Sequence, residues 1–233
     1  GVLESFTNGS DGNQWEMIHN GIDIESFNQR VSGADTGPIR NQYGISENET
    51  VFLNVGRYVP PKAQIDLIKA VSTLEESTVS SIRLFIVGGR GAMEDRLRSM
   101  VQEKELDDTI HVTGRVDDIH GYYRLADVFV SSSVGEGLPI SQLEAMAAKL
   151  PVIATNIPGV KELILDNTTG FLVPPKDPDR LADKIVALLD KETRHSFGLA
   201  GYHRVRDEFN IENTVTEYVS IYEDCSHNSG ILS

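Results

Sequence analysis

Short apolar segments alternate with amphipathic segments along most of the chain. The apolar segments have the length and composition of buried strands, whereas a segment such as 62–74 carries its apolar residues at helical spacing. The pattern predicts strands over 51–55, 82–87, 110–113, 127–131, 152–155 and 171–173, helices over 62–74, 94–103, 119–125, 139–148 and 160–165, and three further helices between 178 and 226.

A repeated order of strand, crossover helix and strand is typical of a parallel sheet that helices cover on both faces. We therefore predict an α/β fold, a doubly wound parallel sheet of the Rossmann type with additional C-terminal helices. In such sheets, ligands bind beyond the carboxyl ends of the strands. A functional site is therefore expected in the loops that begin at Gly56, Gly88, Gly114, Ser131 and Thr155.

Residues 1–50 differ from the rest, because they are rich in Gly, Asn, Ser and Asp and show weak periodicity. We interpret them as a leader and linker segment, residues 51–226 as the ligand-binding domain and residues 227–233 as a tail. The chain of 233 residues is long enough to bury a core without a disulfide or a structural metal.

The chain carries 35 acidic and 21 basic side chains, which gives a formal net charge of −14. Binding to DNA or RNA begins with the neutralisation of phosphates by Lys and Arg, so we expect no nucleic-acid partner.

The single cysteine, Cys225, excludes an internal disulfide, an iron–sulfur cluster and a cysteine-based zinc site. No apolar run approaches the roughly 18 residues of a membrane span, and no signal peptide is recognisable, so we expect a cytoplasmic protein.

Two cations lie in the loop after the first predicted strand. Arg57 and Lys62 are five residues apart, where the strand passes into a helix that Pro61 is suited to begin. Both can converge on one anion near the helix N-terminus, where the helix dipole also favours negative charge. The alternative is that both are ordinary solvated side chains.

The loop after the second predicted strand is rich in glycine: Gly88-Gly89-Arg90-Gly91-Ala92-Met93-Glu94. It fails the dinucleotide fingerprint, because Glu94 stands at the third glycine position and no acidic partner for a ribose follows at the right distance. This argues against a dinucleotide oxidoreductase. The glycines either approach a phosphate or simply form a tight turn.

Two glutamates with seven residues between them mark the fourth loop and its helix. Glu136 precedes the helix and Glu144 lies within it. They are too far apart to share a proton, but they can accept hydrogen bonds from hydroxyls at two ends of an elongated ligand. The free N–H groups of Gly137 and Leu138 can face an anion between them. Alternatively, Glu136 only complements the helix dipole and Glu144 only faces solvent.

Together, two cations, a helix N-terminus and two separated carboxylates match a diphosphate flanked by two sugars, as in a nucleotide-sugar.

Asp177-Pro178-Asp179 has the D-x-D pattern of metal-dependent transferases. It also fits a helix start, with Asp177 as the N-cap and Pro178 at the first position, and we favour that interpretation. The histidines show no metal-ligand spacing, so we expect no metal site.

Five motifs occur in a familiar order and spacing: His19-Asn20-Gly21-Ile22-Asp23; Val55-Gly56-Arg57 with Lys62; Val112-Thr113-Gly114-Arg115-Val116; Glu136 to Glu144; and Pro151-Val152-Ile153-Ala154-Thr155 followed by Pro158-Gly159-Val160-Lys161-Glu162. With them, residues 17–225 resemble the C-terminal, donor-binding half of the family-4 retaining glycosyltransferases, which have the GT-B fold. Two positions depart from the family. Ala63 stands where glycine is usual after the lysine, and Gly89-Arg90-Gly91-Ala92 stands where the family has G-x-G-P.

The resemblance implies a role for each matching residue. Arg57 and Lys62 would hold the diphosphate and stabilise its charge as it leaves, which is electrostatic catalysis. Glu144 would accept from the ribose hydroxyls. Glu136 would be the third catalytic residue beside the two cations. It would hold the transferred sugar, and the backbone N–H groups of residues 137–139 would help it to do so. The full predicted site is Gly56, Arg57, Lys62, Gly89, Arg115, Val116, Glu136, Gly137, Leu138, Pro139 and Glu144, with the backbone around Arg115 and Val116 at the nucleobase.

The resemblance also implies the partners. The donor would be a UDP-, GDP- or ADP-sugar, no cofactor or metal would be needed, and the acceptor would be a glycan or a lipid-linked acceptor. In the family the acceptor is held by an N-terminal half, through which peripheral membrane contact would occur, and we expect that half to be missing from this sequence. We therefore expect a hexosyltransferase domain that is inactive or incomplete without that half. The alternative is a non-catalytic nucleotide-sugar-binding module that acts with a separate acceptor-binding chain.

Overall fold

The computed structural model describes residues 20–89 and 91–228. The predicted leader up to His19, the loop residue Arg90 and most of the predicted tail lie outside the described residues. Within them, a six-stranded parallel sheet has the strand order β3-β2-β1-β4-β5-β6. The strands are β1 Thr50–Val55, β2 Ile82–Val87, β3 Ile110–Gly114, β4 Val128–Ser131, β5 Val152–Thr155 and β6 Gly170–Val173.

This order confirms the predicted doubly wound fold, in which the chain starts at the centre of the sheet and extends first to one edge and then to the other. The helices that connect and flank the strands are α1 Ile24–Gly33, α2 Gly37–Tyr43, α3 Gln64–Ser72, α4 Glu76–Val79, α5 Glu94–Glu103, α6 Ile119–Leu125, α7 Ile140–Ala147, α8 Pro158–Lys161, α9 Pro178–Ala187, α10 Lys191–Glu208 and α11 Ile211–Asn228. A single 3-10 turn, Pro60–Lys62, precedes α3.

The helices α1 and α2 lie where the sequence predicted a linker, and that interpretation of residues 24–43 was wrong. The side chain of Asp23 caps α1 by accepting from the backbone N–H of Ser26 at 2.9 Å. Ile24 and Phe27 of α1 are buried and belong to the core. Two buried residues in ten are too few to give a clear helical period, so the sequence pattern did not reveal this helix.

The sheet separates two apolar cores, one on each face. Successive residues of β1 alternate between them, with Leu53 on one face and Phe52 on the other. Both side chains are buried, as expected for a central parallel strand covered on both faces.

The C-terminal helix α11 is the least covered element. Its apolar side chains Val215, Tyr218, Val219 and Tyr222 are exposed. Even so, no helix in the part of the chain that the structure describes is long and apolar enough to cross a membrane.

The edge strand β3 carries a half-buried histidine. The ring of His111 packs against Tyr43 of α2 at 4.6 Å and against Phe85 of β2 at 5.2 Å between ring centroids. Burial lowers the pKa of His111, and the neighbouring Arg83 guanidinium lowers it further. The carboxylates that act in the opposite direction are those of Asp108, Asp107 and Glu49.

We expect stability to fall as the pH drops below about 6.5, the ordinary histidine pKa. Below that pH the unfolded chain binds a proton at His111 that the folded protein resists, so acid favours unfolding. Urea denaturation at about pH 7.5 and pH 5.5 measures the effect. The parent should lose more unfolding free energy between these pH values than a His111→Gln variant, and equal losses would contradict the prediction.

Candidate functional site

The carboxyl ends of β1 and β4 form the candidate site. These two strands are neighbours in the sheet, and the strand order reverses between them. The loop 56–63 after β1 and the loop 132–139 after β4 are joined by hydrogen bonds. The backbone N–H of Val134 donates to the carbonyl of Pro61 at 2.8 Å, and the Ser132 hydroxyl donates to the carbonyl of Ala63 at 2.9 Å. A crevice at such a switch point is where open α/β sheets bind ligands.

The first loop has a left-handed residue where the resemblance led us to expect glycine. Ala63 has φ 48, in the region that glycine adopts most easily. An alanine in this conformation carries some backbone strain. The side-chain amide of Gln64 donates to the carbonyl of Arg57 at 3.0 Å and fixes the start of the loop.

Lys62 and Glu136 meet across the crevice. The Lys62 Nζ forms an ion pair with Oε1 of Glu136, and the Ser133 hydroxyl donates to the same oxygen at 2.7 Å. Their side chains are only 23% and 14% exposed. The structure thus brings together a predicted diphosphate-binding cation and a predicted sugar-binding acid. Ser133, which sequence reasoning missed, orients the acid.

Arg57 is exposed at the mouth of the same loop. Among the described residues, none forms an ion pair with its guanidinium. Because Glu136 neutralises Lys62 but not Arg57, these three side chains together carry one unbalanced positive charge. This charge faces solvent at the crevice, where an anion can reach it.

The segment 136–139 packs closely against the start of α8. A Cβ built on Gly159 would come 1.8 Å from the carbonyl oxygen of Gly137, so only glycine fits there. Gly137 is exposed and Leu138 is half-buried, and neither backbone N–H donates to a backbone carbonyl among the described residues, so both can donate to a ligand. Pro139 is buried and precedes α7. Proline has no backbone N–H, so our prediction of a hydrogen-bond donor at this position was wrong.

Glu144 lies on α7 and faces a different partner. Its Oε2 accepts a hydrogen bond from the Tyr123 hydroxyl at 2.7 Å. Burial raises the pKa of Glu144, whereas Tyr123, His120 and Arg30 act to lower it. Among the described residues, no hydrogen bond or ion pair joins Glu144 to Lys62 or Glu136. The two acids therefore have separate partners in the described structure, and their placement at two ends of a ligand stays a prediction.

The predicted nucleobase loop follows β3. Arg115 is exposed and Val116 is half-buried, directly after Gly114 with φ 76. The backbone N–H of Gly114 donates to the hydroxyl of Tyr58 at 3.0 Å, and that hydroxyl donates to the carbonyl of Ile86 at 2.7 Å. Tyr58 is buried and ties the carboxyl ends of β1, β2 and β3 together. No local pattern in the sequence indicates this role.

The glycine-rich turn after β2 is partly explained by packing. A Cβ on Gly88 would come 2.0 Å from the carbonyl oxygen of Gly56, and one on Gly91 would come 2.1 Å from the carbonyl oxygen of Tyr58. These glycines allow two loops to lie against each other. Gly89, in contrast, has open space beside it and remains a candidate for ligand contact. Gly56 lies next to the Lys62 side chain, with 3.6 Å between a Cβ built on it and Cδ of the lysine.

Residues 35–204 match the family described as glycosyl transferases group 1. The chain belongs to this family. Because the matched segment runs from α2 into α10, it includes every strand of the sheet and all the loops of the candidate site.

Relatives of this group 1 glycosyltransferase include enzymes with different donors. A GDP-mannose-dependent α-(1-6)-phosphatidylinositol monomannoside mannosyltransferase of Mycobacterium tuberculosis is 35% identical over 80% of this chain and 50% of its own length. A UDP-Gal:α-D-GlcNAc-diphosphoundecaprenol α-1,3-galactosyltransferase of Escherichia coli is 28% identical over 89% of this chain and 54% of its own length. The chain thus spans about half the length of the curated relatives it matches.

Solved structures agree with the fold. Sucrose-phosphate synthase from Thermosynechococcus elongatus superimposes with a TM-score of 0.82 and 28% identity, over 97% of this chain and 56% of that one. The Rossmann-like sheet of this group 1 domain therefore has the arrangement found in GT-B glycosyltransferase structures, as the sequence motifs predicted.

The Asp177-Pro178-Asp179 segment of this glycosyltransferase domain is a helix start. The side chain of Asp177 accepts from the backbone N–H of Arg180 at 3.0 Å, and Pro178 opens α9. This confirms the capping interpretation. Within residues 20–89 and 91–228, no three His, Cys, Asp or Glu side chains form a group that could hold a metal ion.

Proposed function

We propose that this group 1 glycosyltransferase domain binds a nucleotide-diphosphate sugar in the crevice between β1 and β4. The protein then transfers the sugar, with retention of anomeric configuration, to a glycan or lipid-linked acceptor. The observation that carries this proposal is the contact of Lys62 with Glu136 beside the exposed Arg57. Two cations and a hydrogen-bonding acid in neighbouring loops support a site for a sugar-diphosphate linkage.

In this proposal, Arg57 and Lys62 hold the diphosphate. Transfer breaks the bond between the anomeric carbon and a phosphate oxygen, and the negative charge that develops on that oxygen is stabilised by both cations. The acceptor hydroxyl forms the new bond to the anomeric carbon and gives up its proton to the departing phosphate. Gly137 and Leu138 support the sugar, and Arg115 and Val116 flank the base.

The ion pair gives Glu136 a role that depends on the ligand. Without a donor, the charge of Lys62 is balanced by Glu136. A diphosphate competes for the ammonium group, since it carries more negative charge than one carboxylate. Once Lys62 turns to the phosphate, the Glu136 oxygen is held only by Ser133 and can accept from a sugar hydroxyl. Donor binding and presentation of the acid are thereby coupled.

One relative is named for GDP-mannose and the other for UDP-galactose, so family membership leaves the base open. Both relatives are named for lipid-linked acceptors, a phosphatidylinositol mannoside and a diphosphoundecaprenol sugar. They favour an acceptor of that kind.

Titration calorimetry with UDP, GDP and ADP tests the donor site. At least one of the three should bind to the chain, and addition of EDTA should leave its affinity unchanged, since no metal is assigned to the site. If none of them binds, the proposal fails. Assays of donor hydrolysis and of sugar transfer then separate an enzyme from a nucleotide-sugar-binding module, which would bind without turnover.

A further inference from the structure

Tyr123 is a buried polar side chain next to the candidate site, held by ring contacts and a hydrogen bond. It is only 1% exposed and lies on α6. Its ring stacks on Phe129 of β4 with 6.3 Å between centroids and an interplanar angle of 8°. On its other side, Phe27 of α1 makes an edge contact at 5.4 Å. These contacts fix the direction in which the hydroxyl points.

That hydroxyl is directed at Glu144. It donates to Oε2 at 2.7 Å, with the carbonyl oxygen of Ser141 at 3.3 Å from it. Burial raises the pKa of Tyr123 well above its ordinary value, so the hydroxyl keeps its proton and acts as the donor. A charged acceptor makes this one of the stronger classes of hydrogen bond.

The second oxygen of Glu144 is available. No described residue forms a hydrogen bond to Oε1, and Glu144 as a whole is half-buried. The carboxylate therefore has one oxygen fixed by a rigid ring and one that can accept a further hydrogen bond. A carboxylate held in this way loses little rotamer freedom when a ligand binds.

We propose that Tyr123 is a positioning residue that fixes one oxygen of Glu144 so that the other accepts from a ribose hydroxyl. Tyr123 thereby carries the discrimination between ribonucleotide and deoxyribonucleotide ligands. This inference rests on the proposed function, because it assumes that Glu144 lies at the ribose. Tyr123 itself makes no contact with the ligand in this proposal, but it determines which oxygen of Glu144 can accept the hydrogen bond from the ribose.

The test compares a ribonucleotide with its 2′,3′-dideoxy analogue. The probe is whichever of UDP, GDP and ADP binds the parent most tightly, and calorimetry gives both affinities. The parent should prefer the ribo form by about tenfold or more. Tyr123→Phe should weaken the ribo form by about three- to tenfold and leave the dideoxy form unchanged. A purely structural role would weaken both forms equally and would overturn the inference.

Tyr122→Phe is the matched control. Tyr122 is buried on the same helix, and its ring contacts Phe85 at 5.4 Å. Tyr122→Phe also removes a hydroxyl, but it should leave the ratio of ribo to dideoxy affinity at the parent value.

A second variant covers the case in which Tyr123→Phe does not fold. Tyr123→Met also lacks the hydroxyl and fills the position with a flexible apolar side chain. It should show the same loss of preference, and an unchanged preference in either variant contradicts the inference.

The pH dependence of the preference provides a second readout. The groups that face Glu144 are Tyr123 and His120 from α6 and Arg30 from α1, and all three lower its pKa against the effect of burial. Without the Tyr123 hydroxyl, the carboxyl should protonate at higher pH. As the pH falls, the ribo preference of Tyr123→Phe should therefore disappear before that of the parent. Coinciding pH profiles would contradict the inference.

The outcomes also separate the two levels of the proposal. A parent chain that binds no nucleoside diphosphate refutes the proposed function itself. A parent that binds ribo and dideoxy forms equally removes Glu144 from the ribose, and the inference falls with it. A parent that discriminates, with a Tyr123→Phe variant that discriminates equally well, refutes only the role of Tyr123.

Discussion

Lys62→Ala is expected to weaken binding of the preferred nucleoside diphosphate by about ten- to a hundredfold. A hydrogen bond to a charged group contributes about 1.5–3 kcal/mol, and this difference in free energy corresponds to that range of affinity. The variant also leaves Glu136 without its cation, so a carboxylate then faces the phosphates. Calorimetry on parent and variant at the same ionic strength measures the change.

Lys69→Ala is the control for this substitution. Lys69 lies on α3, one element beyond the loop, and its exposed ammonium group pairs with Asp66 at 3.2 Å. The variant removes the same charge from the same part of the chain, and the ammonium group of Lys69 forms no ion pair with Glu136. Equal losses of affinity in the two variants would show that net charge, not the position of Lys62, determines binding.

Gly159→Ala is expected to lower both stability and donor affinity. The added Cβ would overlap with the Gly137 carbonyl oxygen, only 1.8 Å away, and would also approach the Glu136 carbonyl oxygen at 2.8 Å. Overpacking of this kind costs about 1–3 kcal/mol, and relief requires the loop 136–137 to move. Nucleotide-sugar binding should weaken by about tenfold or more as the loop is displaced. Urea denaturation and calorimetry measure the two effects.

Gly135→Ala tests whether any glycine in this region would behave in the same way. Gly135 lies in the loop 132–139 itself, but a Cβ there would meet nothing within 4 Å. Its substitution should leave stability and affinity close to those of the parent. If Gly159→Ala were equally mild, the close packing of α8 against Gly137 would not be what holds the sugar-binding segment.

The sheet could be predicted from the sequence because its strands are buried on both faces. Segments such as 82–87 and 152–155 are short apolar runs that end at loop residues, and both strands have these bounds in the structure. Helices α5 and α6 also have the predicted bounds, because their apolar residues face one core. Other bounds shifted. The helix predicted over 160–165 is α8, Pro158–Lys161, and the helix predicted over 62–74 is α3, which begins only at Gln64 after the 3-10 turn. Four of the strands differ from their predicted bounds by one residue.

The side-chain geometry of the candidate site could not be predicted in the same way. The motifs selected Lys62, Glu136 and Glu144, but spacing along the chain does not show that Lys62 meets Glu136 across two loops. Nor does it show the partner of Glu144, since Tyr123 lies on another helix. The burial of Tyr123 depends in part on Phe27 of α1, a helix that the sequence pattern did not reveal.

Amide chemical-shift mapping tests the central claim most directly. A ¹⁵N-labelled chain is titrated with the nucleoside diphosphate that it binds best. The largest shifts are expected at residues 56–63 (apart from the two prolines), 114–116 and 136–138, the loops at the carboxyl ends of β1, β3 and β4. Shifts concentrated elsewhere, for example in the groove between α1 and α10 lined by Asn28 and Tyr202, would contradict a diphosphate site at the β1–β4 crevice.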